Sequence, residues 1–279
     1  MSKKKKAVGA ISFCCILIAL LVGIFIIGGG AKHESIRETM RDAVLHEVNK
    51  ISLFGIKDVN PSVISAMTVT AVILIFAALV RILAIPRFKL VPNKFQLLLE
   101  QLVGFFDGLA KSNSPHRNGF LGAYIFSAGI YICVGTIFEL FGVQGITTEG
   151  HPIALPAPLS DINAAIAMGC LSYIIILSGG IAGNGLRGVG LTLKDFSLPI
   201  SMSFRLFGAL LSGLLVTELV YYYIQLSFVL PVVVGVLFTL LHALIQTYVL
   251  TMLTALFYGE VSEPSERKSR KRKKITSED

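Results

Sequence analysis

From Ile200 to Leu230 the chain runs for about 30 residues without a proline and with only Arg205 and Glu218 charged. As a helix rising 1.5 Å per residue, that run would be roughly 45 Å long, against a hydrocarbon core of about 30 Å. Such a helix must tilt by something like 45–50° or break. Pro231 ends the run, and a second apolar stretch follows to about Tyr258. The last third of the sequence therefore reads as one long helical hairpin inside a bilayer. Other apolar stretches of spanning length lie at Ala7 to Gly30, Ser62 to Leu83, Gly119 to Phe141 and Asp161 to Ser178. With 54% apolar and 15% charged residues, the expected fold class is all-α. It is a polytopic integral membrane protein with five or six transmembrane helices.

Four regions follow from this pattern. Residues 1–31 form an N-terminal signal-anchor or signal segment, since four lysines precede the apolar run and Gly28-Gly-Gly-Ala31 offers small residues for cleavage. A retained helix is the expectation. Residues 32–61 are a polar, extracytoplasmic segment, in which Ile36, Met40, Val44 and Val48 recur at helical spacing. Residues 62–259 form the membrane domain, and residues 260–279 a basic tail. Within the membrane domain, Phe95 to Leu109 has the period of an amphipathic helix lying on the membrane surface. A Gly-rich turn is expected from Gly179 to Arg187.

The net charge of +8 does not point to nucleic acid. Lys3–Lys6, the basic residues from Arg81 to Arg117, Arg187, Lys194 and the tail Arg267–Lys274 all flank apolar runs, where Lys and Arg set orientation. With six spans they fall on one side, which places the C-terminus in the cytoplasm. Cys14, Cys15, Cys133 and Cys170 lack metal-ligand spacing and read as small buried apolar residues. No internal repeat is visible.

Every Lys and Arg is then assigned to a flank or loop except Arg205. An arginine near mid-bilayer costs roughly 2.5–3.5 kcal/mol on insertion scales, so it is kept for a wet cavity, an ion path or a counter-charge. Ser201, Gly208, Ala209 and Ser212 around it are small and allow another helix to come close. Glu218, His242 and Gln246 are the other polar residues of the hairpin, and His242 and Gln246 share one helix face. Asp195 stands at the start of the long helix, and Asp161 with Asn163 begins the fourth span. Polar groups toward both faces, with an arginine between, suggest two half-paths that do not join.

Here the sequence resembles subunit a of the rotary F-type ATP synthases. The strongest match is Ser201-Met-Ser-Phe-Arg205-Leu-Phe-Gly208, and next is Ile245-Gln246-Thr-Tyr-Val-Leu-Thr-Met-Leu-Thr-Ala255-Leu-Phe-Tyr258. Weaker matches are Pro158-Leu-Ser-Asp161-Ile-Asn163 and Val91-Pro92-Asn-Lys-Phe-Gln96 with Glu100. The resemblance implies a stationary, non-catalytic channel subunit in a bacterial cell membrane. It implies a subunit c ring, a subunit b stalk, other ATP synthase subunits and the lipid bilayer as partners. No cofactor or metal is implied, and the ion is expected to be H⁺ rather than Na⁺. Arg205 would hold each passing ring carboxylate ionised and block a direct leak; Ser201, Gly208, Ala209 and Ser212 would face the ring. The nucleotide chemistry belongs elsewhere in the complex, and no Walker-type Gly-rich motif occurs here.

The sequence departs from that family in places. Ala209 stands where the family commonly has Asn, Leu214 where it has Glu or His, and Thr239 where it has the complementary His or Glu. Glu218 and His242 lie about one turn away, so the polar pair of the outer path is expected to have shifted to them. Plainer roles compete at each position: backbone-bonded arginine for Arg205, snorkelling for Glu218, interhelical hydrogen bonds for His242 and Gln246, helix capping for Asp161 with Asn163, and a cap or a Lys194 pair for Asp195. The competing functions are a secondary transporter or channel binding an anionic substrate at Arg205, and a non-transporting assembly scaffold.

Overall fold

The computed structural model describes residues 51–53, 56–148, 152–222 and 230–264, together with positions 15, 18, 22, 35, 37 and 41. The segment expected to form the first span falls almost wholly outside these residues, as does the basic tail. Seven helices and two short hairpins make up the rest. They are β1 (Ile51–Leu53) and β2 (Ile56–Val59), then α1 (Pro61–Leu79), α2 (Lys94–Asn113) and α3 (Gly119–Phe138). β3 (Gln144–Ile146) and β4 (Pro152–Ala154) precede α4 (Ile162–Asn184), α5 (Leu186–Lys194), α6 (Ser197–Tyr222) and α7 (Leu230–Ser262). Five of the helical stretches are long and apolar enough to cross a membrane: Pro61–Arg87, Gly119–Phe141, Ile162–Asn184, Ser197–Thr217 and Val233–Ser262. The protein is an all-α, multi-pass membrane protein.

Local chemistry explains where the elements begin and end. Asn60 caps α1 and Pro61 occupies its first turn, where a missing N–H costs nothing. α1 runs on through a π-turn at Val80–Ala84 and a 3₁₀ turn at Ile85–Arg87 that contains Pro86. Gln96 then staples the approach to α2: its carboxamide accepts from the Lys89 N–H at 3.1 Å and donates to the Lys89 carbonyl at 2.9 Å and to Glu100 at 2.7 Å. α2 is amphipathic as expected, burying Phe106 and Ala110.

Phe106, Ile125, Ile132, Ile176, Met202, Leu206, Leu250 and Tyr258 belong to one buried cluster drawn from α2, α3, α4, α6 and α7. A smaller cluster of Ile51, Val69, Phe138 and Leu155 joins the two hairpins to α1 and α3. Much of α1 faces outward, with Met67, Leu74, Ile75, Phe76 and Ile82 all exposed. In a bilayer those side chains meet lipid, so their exposure carries no hydrophobic penalty.

Two expectations are corrected. The Gly-rich stretch after Ser178 is not a turn: α4 continues to Asn184 and stops at Gly185, whose φ of +64° suits glycine. Its glycines are contact points. A Cβ on Gly183 would overlap the Ser262 backbone, and one on Gly188 of α5 would overlap the Gly180 carbonyl. Between Ile51 and Val59 the polar segment forms an antiparallel hairpin, held by Ile51 packing near Gly145 and Leu155. The helical spacing expected at Ile36, Met40, Val44 and Val48 lies outside the described residues. Finally, the cysteines are not all buried. Cys15 and Cys170 are exposed and Cys133 is intermediate, because the surroundings of a membrane helix can be as apolar as its interior.

The hairpin starts and ends a few residues outside the expected limits, at Ser197 and Ser262. α6 begins earlier, with Pro199 in its first turn, and is described to Tyr222; Pro231 lies at the start of α7. Residues 223–229, over which a single 30-residue helix was expected, lie outside the described residues.

Candidate functional site

The helical period of α6 divides it into two faces. Pro199, Met202, Ser203, Leu206 and Leu210 are buried; Ser197, Ser201, Phe204, Arg205, Gly208 and Ser212 are exposed. The buried face is locked against α4, where a Cβ on Gly169 would overlap Ser203 Oγ and crowd the Pro199 carbonyl. Ser203 turns its hydroxyl back to that carbonyl at 2.7 Å, so it asks for no outside partner. With α4 holding one face, the helix has no choice but to present Arg205 on the other.

Arg205 has no hydrogen-bond or ion-pair partner among the described residues. The plainer reading, an arginine bonded to backbone carbonyls, is therefore not seen among the described residues. The surface beside it is smooth. A Cβ on Gly208 would meet nothing within 4 Å, and Ser212 donates its hydroxyl proton to the Ala209 carbonyl at 2.8 Å. Ala209 itself is half-buried at the edge of this face.

α7 supplies the second set of polar groups. His242 sits over Gly213 of α6, where a Cβ would lie 3.5 Å from its Nδ1, and its ring is 5.8 Å from that of Phe238. Gln246, one turn on, is 6% exposed, and its Oε1 is buried without a hydrogen-bond partner among the described residues. Glu218 lies on α6, but its side chain is outside the described residues, so its pairing with His242 is not part of this geometry. A buried acceptor left unmade costs about 1–3 kcal/mol. Gln246→Leu is accordingly expected to leave the purified protein at least as heat-stable as the wild type. A lower melting temperature would mean that Gln246 is structural glue.

Asp161 caps α4, its Oδ1 accepting from the N–H groups of Asn163 at 2.7 Å and Ala164 at 3.3 Å. Capping is thus one of its roles, and Asn163 is exposed beside it. Both residues line the mouth of a groove of about 620 Å³ between α1 and α4, with Asn60, Ala66, Thr70 and Leu74 on the α1 side. Asp195 sits in the α5–α6 turn. Its N–H bonds to the Thr192 carbonyl at 3.1 Å and its carbonyl accepts from Leu198 at 3.0 Å. No Lys194–Asp195 ion pair forms among the described residues. Asp195 thus stands before α6, the helix that carries Arg205; Asp161 and Asn163 stand at the start of α4, and His242 and Gln246 along α7. They do not gather into one cluster. No group of His, Cys, Asp or Glu suited to a metal occurs among the described residues. Asn60 was not singled out from the sequence; only its contact across helices reveals it.

A family model described as ATP synthase A chain matches residues 64–259, well over half of the chain. The chain belongs to that family. The matched span contains Arg205, Gln246, His242, Asp161, Asn163 and Asp195. Among curated proteins, the chain is similar to "ATP synthase subunit a" of two strains of Cereibacter sphaeroides, at 25% identity over 203 residues in each case. Each alignment covers 68% of this chain and 77% of the relative. It is also similar to "ATP synthase subunit a" of Acidothermus cellulolyticus, 27% identical over 185 residues, covering 61% of this chain and 65% of that protein. Membership makes this chain a membrane subunit of an ATP synthase complex.

Proposed function

We propose that this chain is the stationary ion-translocating subunit of a rotary ATP synthase. It provides two half-channels to a ring of subunit c, with Arg205 between them. The observation that carries this reading is the state of Arg205: a permanent charge, exposed on a smooth face of a membrane helix, with no counter-charge in the described chain. Its counter-charge must come from outside, and a closely approaching helix bearing a carboxylate fits the small residues Ser201, Gly208 and Ser212. An anionic solute would need a cavity around Arg205, and an open helix face is a poor one. The chain performs no covalent chemistry in this reading; it is anchored in the complex beside subunit b.

The groove mouth at Asp161 and Asn163 and the buried Gln246 with His242 supply polar groups for one half-path. Asp195 stands at the other. H⁺ is the expected ion, since it needs only a relay of polar side chains and water.

Proximity tests the reading directly. A photo-activated crosslinker introduced at Gly208 of the assembled complex is expected to capture subunit c in high yield. One introduced at Ile125, on the buried face of α3, serves as the negative control. Capture of lipid alone at Gly208 would sink the ring-facing assignment.

A further inference from the structure

Where α1 and α4 begin, each helix is capped by the residue that holds the other. Asn60 Oδ1 accepts from the Ser62 N–H at 2.9 Å and caps α1. Asp161 Oδ1 caps α4. The two remaining polar atoms face one another: Asn60 Nδ2 donates to Asp161 Oδ2 at 2.6 Å, across 101 positions of sequence. Each side chain therefore uses one atom for its own helix and one for its neighbour.

Asn60 has little freedom to do otherwise. Pro61 follows it, buried, and fixes the first turn of α1. The β1–β2 hairpin precedes it and is tied down by Ile51 in the cluster with Val69, Phe138 and Leu155. The amide is thus delivered to Asp161 by the fold on both sides. A hydrogen bond from an amide to a carboxylate is charge-assisted, shorter and about twice as strong as one between neutral groups. It also spans the mouth of the groove that Asp161 and Asn163 line.

We propose that Asn60 is a positioning residue for Asp161. Its amide holds the free carboxylate oxygen at the groove mouth and sets how far α1 and α4 stand apart there. The proposal rests on the reading of that mouth as part of the ion path.

The bridge has a symmetry that makes it testable. Asn60→Asp places two carboxylates face to face with no donor between them. Asp161→Asn places two amide donors face to face. Combining the two exchanges the partners: Asp at 60 still accepts from the Ser62 N–H, Asn at 161 still accepts from Asn163 and Ala164, and an amide again donates to a carboxylate. Only the side of the groove that carries the charge has changed.

The measurement is ATP-driven pumping in inverted vesicles holding the whole complex, normalised to assembled complex by immunoblot. Asn60→Asp is expected to lower pumping roughly tenfold, the low end of what a hydrogen bond to a charged group contributes. The exchange variant is expected to recover most of that loss. Should Asn60→Asp fail to assemble, assembly itself becomes the readout, and only the exchange variant should regain it. Wild-type pumping in Asn60→Asp, or an exchange variant no better than the single one, overturns the bridge. Arg205→Ala run alongside separates the two failures. Loss of pumping there with an unaffected Asn60→Asp overturns the bridge alone, whereas undiminished pumping in Arg205→Ala overturns the ion-path reading beneath it.

Discussion

With Arg205 replaced by alanine, ATP-driven ion pumping is expected to fall at least tenfold while the complex remains assembled. The size follows from electrostatics. A carboxylate carried into an apolar setting is pushed toward its neutral form, and an opposite charge a few ångströms away offsets this by about 1–3 pKa units. That is about 1.4–4 kcal/mol, or ten- to a thousandfold in the ionised fraction. Removing the charge also removes an insertion cost of roughly 2.5–3.5 kcal/mol, so the amount of chain in the membrane should not drop. The variant separates function from stability for that reason. Arg205→Lys should fall between the two, because an ammonium keeps the charge but is more strongly hydrated and loses its proton more readily when buried. An assembled Arg205→Ala complex that pumps like the wild type would move the assignment to a transporter or a scaffold.

The second large effect concerns folding. A Cβ on Gly183 would overlap the Ser262 backbone, and one on Gly259 would overlap the Asn113 carbonyl. Neither neighbour is the end of a flexible side chain, so the helices themselves must separate. Overpacking typically costs 1–3 kcal/mol at each site, against a total stability of about 5–15 kcal/mol. Gly183→Ala with Gly259→Ala is expected to lower the melting temperature of the purified protein sharply and to deplete it from membranes. Gly190 is the control: nothing lies within 4 Å of its Cβ position, and alanine there should stabilise α5 by up to about 1 kcal/mol. Equal melting temperatures for all three proteins would mean that the α4–α7 and α2–α7 contacts are not close-packed.

The contrast between these glycines shows where sequence was informative. Apolar length alone located the span Gly119–Phe141 to the residue, because a bilayer sets helix length almost independently of partners. Gly179 to Gly185 looked like a turn because glycine weakens helices in water. In a membrane helix the backbone cannot be left open, and the same glycines become sites of close approach. Arg205 stood out in the sequence from its cost alone, but its exposure depended on Gly169 locking the opposite face of α6. Gln246 was legible as a polar residue sharing a face with His242, and its burial and unpaired oxygen were not. Asn60 was invisible. An Asn before a proline is an ordinary cap, and what distinguishes it is a partner that only the fold brings near.

The mounting of α7 has a mechanical consequence. Asn184 Nδ2 grips its last turn through the Val261 carbonyl at 3.1 Å and reaches the Glu263 carbonyl just beyond at 2.7 Å, while His116 Nε2 lies 3.0 Å from Ser262 Oγ. One face of its first half is open, with Val233, Val236, Leu237, Leu240, Leu241 and Leu244 all exposed. The helix is braced along its second half, where Gln246, Leu250, Thr251, Thr254 and Ala255 are buried and Thr247 Oγ1 donates to the Gly129 carbonyl at 3.4 Å. A neighbour that pushes sideways near Leu241 therefore loads a short, stiff beam, since the next support, the buried Ala243, is about 3 Å further along the axis. The pins at Asn113, His116 and Asn184 then resist sliding of the helix along its own axis rather than bending.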